Sequence, residues 1–172
     1  RIIIASKLGD AAILKELIKI LDENQIKVIK SNIFNPELTL KKGSLSKTKP
    51  NKSDDISIKK GIKYLNDLNA HDHVQGLIIR NNNVIKKETS KGTKKMLQSI
   101  NKIKDAGGIL IKFPKRKQDL RADLPTIGLD TLKDCKKYNL KGIVLKSNQN
   151  IFMNKERCID FANKNKIFIK II

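Results

Sequence analysis

The sequence has few of the residues that build disulfide scaffolds, aromatic platforms or membrane spans. It contains two cysteines, four prolines, no tryptophan and only 4% aromatic residues among 172. Cys135 and Cys158 have no CxxC companion, which excludes a zinc ribbon or a disulfide framework and favours a reducing, cytoplasmic compartment. No apolar run approaches the roughly 20 residues that cross a bilayer, and none follows a basic start as in a signal peptide.

Acidic residues are also few, because 17 Asp and Glu face 37 Lys and Arg and leave a net charge of +20. Such a charge favours phosphate-bearing partners. The lysines are spread over nearly every segment, however, and aromatic residues on which bases stack are scarce. Three readings stay open: solvated surface lysines, attraction to an anionic lipid surface or a nucleotide phosphate, and nucleic-acid binding. We expect no nucleic-acid partner.

The chain has enough apolar residues, 39%, to bury one core. Apolar periodicity predicts strands that alternate with helices, which indicates the α/β class with a mixed sheet of parallel pairs and one hairpin. A hydroxyl cap at Ser53 begins one helix, and a turn at residues 81–83 joins the hairpin strands. The predicted helices cover residues 9–23, 53–68, 92–104, 131–138 and 156–163. The predicted strands cover residues 26–29, 74–79, 84–86, 109–111, 142–145, 151–153 and 167–171.

The most informative segment is the loop of residues 112–128, which follows an apolar strand, where α/β proteins place their ligand sites. Asp119 and Asp123 lie four positions apart in it. Together they can hold a divalent cation while the surrounding cations bind phosphate oxygens. An equally good reading is a solvated loop ordered by an Asp–Arg pair. The basic residues of the loop are Lys112, Lys115, Arg116, Lys117 and Arg121.

This loop resembles the pattern K-x-P-K-x-x-Q-D-x-R-x-D-L-P-T-I-G of the UDP-2,3-diacylglucosamine pyrophosphatases of the LpxI type. Three further segments match that family in order along the chain. Gly9-Asp10-Ala11 resembles G-D-D, Asp72-His73-Val74-Gln75 resembles D-V-G-Q, and Glu88 with Gly92-Thr93 resembles E-x-x-E-G-T-D. The sequence departs from the family at His73 and Val74, and at Lys91 and Lys94, where lysines replace acids.

The resemblance implies that the chain is one part of a two-domain enzyme. The chain begins with Arg1 rather than Met, and the apolar run Ile2-Ile3-Ile4 indicates a surface made for a neighbour. Residues 1–24 are then a linking-helix region and residues 25–172 a C-terminal catalytic domain. The N-terminal domain of the same protein, which closes over the site in this family, is an expected partner.

The implied reaction is the hydrolysis of UDP-2,3-diacylglucosamine to 2,3-diacylglucosamine 1-phosphate (lipid X) and UMP during lipid A synthesis. A divalent cation, Mg²⁺ or Mn²⁺, is the expected cofactor, with Asp119 and Asp123 as its ligands and as the catalytic carboxylates. We expect a cytoplasmic protein that works at the anionic inner membrane surface. The expected substrate-binding residues are Lys112, Lys115, Gln118, Arg121, Thr126, Glu88, Gly92 and Thr93. The alternative function is a non-catalytic basic module that binds nucleotides or nucleic acid.

The remaining candidates are weaker. His71 and His73 form a metal-like pair, but only Asp72 accompanies them, so we interpret them as surface residues. Cys135 lies on an amphipathic helix with no nearby histidine, which disfavours a nucleophile.

Overall fold

A six-stranded mixed β-sheet, covered by helices on both faces, forms the centre of the molecule. The computed structural model describes residues 1–7, 10–68, 74–100, 107–115 and 118–172. The strands are β1 (Gly43–Ser44), β2 (Gly76–Arg80), β3 (Asn83–Lys87), β4 (Ile109–Lys112), β5 (Thr126–Ile127), β6 (Gly142–Leu145), β7 (Ile151–Phe152) and β8 (Phe168–Ile171). The helices are α1 (Ile2–Ser6), α2 (Asp10–Glu23), α3 (Lys52–Asp67), α4 (Gly92–Gln98), α5 (Leu129–Lys137) and α6 (Lys155–Lys164), and 3₁₀ turns occur at Ser31–Ile33 and Pro36–Leu38.

The strand order of the sheet is β1-β8-β6-β4-β2-β3. The neighbours β4, β6 and β8 run parallel, whereas β1, β2 and β3 pair antiparallel with the strands beside them. The helices α5 and α6 connect the parallel strands, as parallel pairing requires. A separate parallel pair joins β5 to β7. The predicted α/β class, with parallel pairs and one hairpin, is confirmed.

The strands contribute side chains to two hydrophobic cores because successive residues of a strand point to opposite faces. Leu110 and Ile143 lie in the core covered by α4, α5 and α6, whereas Ile111 and Val144 lie in the core against α3. All four are completely buried. Burial on both faces explains why these strands are continuous apolar runs without polar alternation.

Three predicted elements differ from the structure. Residues 26–29 form no strand, since Ile26 and Ile29 are 55% and 40% exposed and pair with no described strand. The cap of α3 is Asn51 rather than Ser53, and Asn51 and Asp54 each accept a hydrogen bond from the other's backbone N–H. The helix that begins at Gly92 ends at Gln98.

Some sequence predictions lie outside the described residues. They are the histidine segment at positions 71–73, the motif residue at position 9, and the loop cations at positions 116 and 117. In the described part of the chain, no helix combines the length and the apolar character needed to cross a membrane.

Candidate active site

The structure places the predicted site residues in three neighbouring regions. We call them the buried cluster, the amide cavity and the acidic turn. The buried cluster contains Glu88, Thr93 and Lys112, and the half-buried Gly92 precedes Thr93 at the start of α4; the amide cavity contains Lys115 and Gln118; the acidic turn contains Asp119, Arg121, Asp123 and Thr126. All three regions follow β4 or adjoin its carboxyl end, which is where ligands bind in α/β sheets.

The buried cluster is a charged group inside the core. The Lys112 Nζ lies 3.4 Å from Glu88 Oε1, and both side chains are only 8% exposed. The Thr93 hydroxyl donates to Glu88 Oε1 over 3.1 Å and accepts from the Lys112 ammonium. Because the Thr93 hydroxyl bonds both Glu88 and Lys112, it connects the two charged side chains.

A glycine in the middle strand allows this pair to form. Gly76 of β2 lies opposite Lys112 of β4 and accepts the Glu88 N–H on its other side, over 2.8 Å. A Cβ at Gly76 would lie 2.7 Å from Glu88 Oε2. The space above Gly76 therefore lets the charges of two non-adjacent strands meet. Glu88 Oε2 itself is buried and has no hydrogen-bond partner among the described residues.

The amide cavity, of about 360 Å³, lies at the carboxyl ends of β4 and β6. Lys115 and Gln118 line it after β4, and Lys146 and Gln149 line it after β6. The Gln118 Oε1 accepts from the Lys115 backbone N–H over 2.7 Å and from Gln75 Nε2 over 2.9 Å. These two bonds fix the orientation of the Gln118 amide.

The acidic turn is ordered by an Asp–Arg pair. The Arg121 Nε and Nη2 donate to both oxygens of Asp119 over 2.8–3.2 Å, and the Arg121 backbone N–H donates to Asp119 Oδ1 over 2.9 Å. These side-chain hydrogen bonds hold the pKa of Asp119 below its usual range. The reading in which an Asp–Arg pair organises the loop is therefore present in the structure.

Arg121 also connects this turn to the linking helix. Its Nη1 lies 3.8 Å from Asp22 Oδ2 of α2. A cleft of about 650 Å³ between α1, α2 and the turn is lined by both Asp119 and Arg121. The guanidinium therefore joins residues 1–24 to the loop after β4.

Asp123 and Thr126 are placed differently within the turn. The Asp123 backbone N–H donates to the Asp119 carbonyl oxygen over 3.0 Å, which closes one helical turn. Its side chain is half-buried, and its carboxylate bonds none of the described residues. The exposed Thr126 donates its hydroxyl to the Leu124 carbonyl oxygen over 3.1 Å.

The donor set permits a divalent cation at Asp123 that takes most of its ligands from elsewhere. The described residues contain no group of three or more His, Cys, Asp or Glu side chains able to hold a metal. Mg²⁺ is commonly bound through one or two carboxylates, with waters and substrate phosphates completing its shell. Asp123 fits that role, whereas both Asp119 oxygens already accept from Arg121.

Sequence reasoning missed two contributors to the amide cavity. Lys146 directly follows β6, and its Nζ lies 5.8 Å from the centroid of the Phe113 ring. Its position after a buried parallel strand is the signal that identifies it. Gln75 belongs to a motif that resembles the family pattern. Its hydrogen bond to Gln118 depends on how distant segments of the chain pack together, which no local sequence pattern encodes. Cys135 is fully buried, and burial raises the pKa of its thiol, which opposes nucleophilic use.

Comparison with known proteins identifies relatives of this chain. The family model described as the LpxI C-terminal domain matches residues 41–170. The chain is 27% identical over 176 residues to the UDP-2,3-diacylglucosamine pyrophosphatase LpxI of Caulobacter vibrioides. That alignment covers 98% of the chain and 63% of the relative, so the chain spans less than two thirds of the relative's length.

Proposed function

Because the chain belongs to the family of LpxI C-terminal domains, we propose that it supplies the catalytic loop for hydrolysis of the UDP-2,3-diacylglucosamine pyrophosphate. The products are UMP and 2,3-diacylglucosamine 1-phosphate. The observation that carries the proposal is the half-buried Asp123 carboxylate, which bonds no described residue in a loop matching the family pattern. Since the chain spans 63% of the relative, the activity is that of the whole protein.

Water attacks one phosphorus of the pyrophosphate, and the bond from that phosphorus to the bridging oxygen breaks. The attacking oxygen stays on that phosphate, and the bridging oxygen leaves with the other phosphate. Asp123 is the essential carboxylate, with Asp119 as a second ligand if its pair with Arg121 opens. A bound Mg²⁺ or Mn²⁺ would neutralise charge developing on the phosphate oxygens.

The chain's own cations and dipoles place the pyrophosphate. Lys115 lines the amide cavity in the loop after β4, where its ammonium group can bind a phosphate oxygen. Lys112 contributes a fixed positive charge rather than a mobile one, because Glu88 and Thr93 hold its ammonium group inside the core. Preorganised charge of this kind stabilises a transition state without reorganising during the reaction.

The test replaces Asp123 by Asn in the protein joined to its N-terminal domain. Asn keeps the size of the side chain and removes its charge, so UMP release should fall at least tenfold, about 1.4 kcal/mol of barrier, with an unchanged melting temperature. Asp130→Asn is the matched control, because Asp130 is 96% exposed and its Lys133 partner lies on the surface. Retention of more than about a tenth of kcat in the Asp123 variant would show that this carboxylate is not essential.

A further inference from the structure

Residues 26–34, which we call the exposed segment, present apolar side chains that the fold leaves uncovered. Ile26, Ile29, Ile33 and Phe34 are all exposed, and Phe34 is 76% exposed. Single exposed apolar residues are common on protein surfaces and need no explanation. Four of them within nine consecutive residues indicate a surface that contacts something other than water.

The same part of the chain carries positive charge with little acid to balance it. Residues 24–53 contain seven lysines and one acidic residue, Glu37. All seven lysines are exposed, and none pairs with a carboxylate among the described residues. Lys27 and Lys30 lie within the exposed segment, between its apolar side chains. The partner of this surface is therefore one that offers apolar and anionic groups together.

A cavity beside the exposed segment adds further cations. It has a volume of about 570 Å³, and its lining includes Asn32 of the segment together with Lys41, Lys42 and Lys155. Ammonium groups bind phosphate oxygens through charge-assisted hydrogen bonds. The cavity can therefore receive the phosphate of a headgroup while the neighbouring apolar side chains contact acyl chains.

The chain that leaves the exposed segment is fixed at the edge of the sheet where the candidate site lies. Leu40 is 1% exposed, and its carbonyl oxygen accepts from the Ser147 hydroxyl and from the Asn148 N–H, each over 3.0 Å. Ser147 and Asn148 belong to the loop after β6, and Lys146 and Gln149 of that loop line the amide cavity. A surface that the exposed segment contacts is therefore near the carboxyl edge of the sheet.

An anionic lipid bilayer matches both features of this surface. Its interface takes up apolar side chains, and its acidic headgroups attract lysines within a Debye length. A nucleic acid would pair with the lysines but leave the isoleucines and the phenylalanine in water. A protein partner would have to bring carboxylates to lysines that the described residues leave unpaired.

We propose that the exposed segment docks the protein on an anionic lipid bilayer, with Ile33 and Phe34 entering the interface and Lys27 and Lys30 facing the headgroups. The docked orientation brings the carboxyl edge of the sheet close to the membrane. The docking surface is inferred from exposure and charge, whereas its use in reaching a lipid substrate rests on the proposed function.

The experiment measures cosedimentation of the protein, joined to its N-terminal domain, with vesicles. One set contains phosphatidylcholine alone and the other also contains phosphatidylglycerol. We expect at least about tenfold tighter binding to the anionic set. The double variant Ile33→Ser/Phe34→Ser should weaken that binding about tenfold. Lys27→Gln/Lys30→Gln should weaken it by about as much on anionic vesicles and leave binding to neutral vesicles unchanged.

The matched controls lie on α3. Ile56→Ser changes an isoleucine that is 51% exposed, and Lys59→Gln/Lys60→Gln removes two exposed charges. Both should bind vesicles as the unaltered protein does.

Three results would overturn the proposal. Equal binding to the two sets of vesicles would remove the role of the lysines. Unchanged binding of Ile33→Ser/Phe34→Ser would show that these side chains do not enter the interface, as when the N-terminal domain covers them. Tighter binding to a DNA duplex than to anionic vesicles, unaffected by that double variant, would assign the lysines to nucleic acid.

Turnover separates this inference from the proposed function. UMP release from substrate dispersed in detergent should be equal in Ile33→Ser/Phe34→Ser and in the unaltered joined protein. Release from substrate held in anionic vesicles should fall about tenfold in the variant. Vesicle binding without any UMP release in detergent would refute the reaction alone. UMP release from vesicles that the double variant leaves unchanged would refute the docking alone.

Discussion

Lys112 and Glu88 form a buried ion pair, and the loss of one charge leaves the other inside the core. Removal of one partner from a buried pair costs more than the pair itself contributes, because the remaining charge stays desolvated. We predict that Lys112→Met lowers the free energy of unfolding by about 3 kcal/mol, measured by urea denaturation. A second change, Glu88→Gln, should restore part of that loss.

The control for this prediction is Lys133→Met. The Lys133–Asp130 pair has side chains 56% and 96% exposed, and such surface pairs contribute about 0–1 kcal/mol. If Lys112→Met were as mild as Lys133→Met, the Lys112 charge would not be stabilised by Glu88.

The Asp119–Arg121 pair predicts how the stability of the protein changes at acid pH. Its pKa is lowered in the folded state, first by the side-chain hydrogen bonds of Arg121. The resulting stabilisation is fully present above the ordinary Asp pKa of about 3.9 and is lost as the pH falls through the lower folded value. We therefore expect Asp119→Asn to lower the melting temperature at pH 7 by ~1–3 °C, and the difference from wild type to shrink steadily as the pH is lowered below the ordinary Asp pKa. A difference that grows on acidification would reverse the sign of this argument.

At the scale of elements, the packing of β6 against β8 depends on one small residue. A Cβ at Gly142 would lie 2.3 Å from the ring carbons of Phe168, which is itself 1% exposed. The ring has no room to retreat, so we predict that Gly142→Ala costs about 1–3 kcal/mol through overpacking, measured by thermal or urea unfolding.

Gly128 supplies the comparison within the same molecule. A Cβ there would make an ordinary contact, 3.7 Å from Met153 Cβ, and its backbone is extended. Gly128→Ala should change stability by only about 0.5 kcal/mol. Equal losses in the two variants would mean that backbone freedom, rather than the Phe168 contact, decides the effect.

The elements that the sequence predicts well are those whose signal is local. β4, β6 and β8 are short apolar runs between polar segments, and burial on both faces produces that pattern directly. Residues 26–29 carry a similar pattern but pair with no strand in the described part of the chain, because strand pairing is a non-local property. The same limit applies to the site: the Asp119–Arg121 pair follows from spacing in one loop, whereas Glu88 and Lys112 meet only because Gly76 separates their strands.

At the scale of the whole molecule, the linking helices leave apolar surface uncovered. Ile3 and Ile4 of α1 are 79% and 69% exposed, beside the cleft that Asp119 and Arg121 line. We propose that the N-terminal domain implied by the family resemblance covers this side and excludes water from the substrate. Positioning and water exclusion supply much of the rate in phosphoryl transfer, so the 172-residue chain alone should fold yet turn over poorly.

Release of UMP from UDP-2,3-diacylglucosamine, with Mg²⁺ or Mn²⁺ present, is the most direct measurement of the proposed function. It compares the chain joined to its N-terminal domain with the chain alone and with the joined Asp123→Asn protein. We predict UMP and 2,3-diacylglucosamine 1-phosphate in equal amounts from the joined protein, and at least tenfold less from the other two, about 1.4 kcal/mol of barrier. Release from the joined Asp123→Asn protein at the rate of the unaltered joined protein would contradict the assignment of the reaction to this loop.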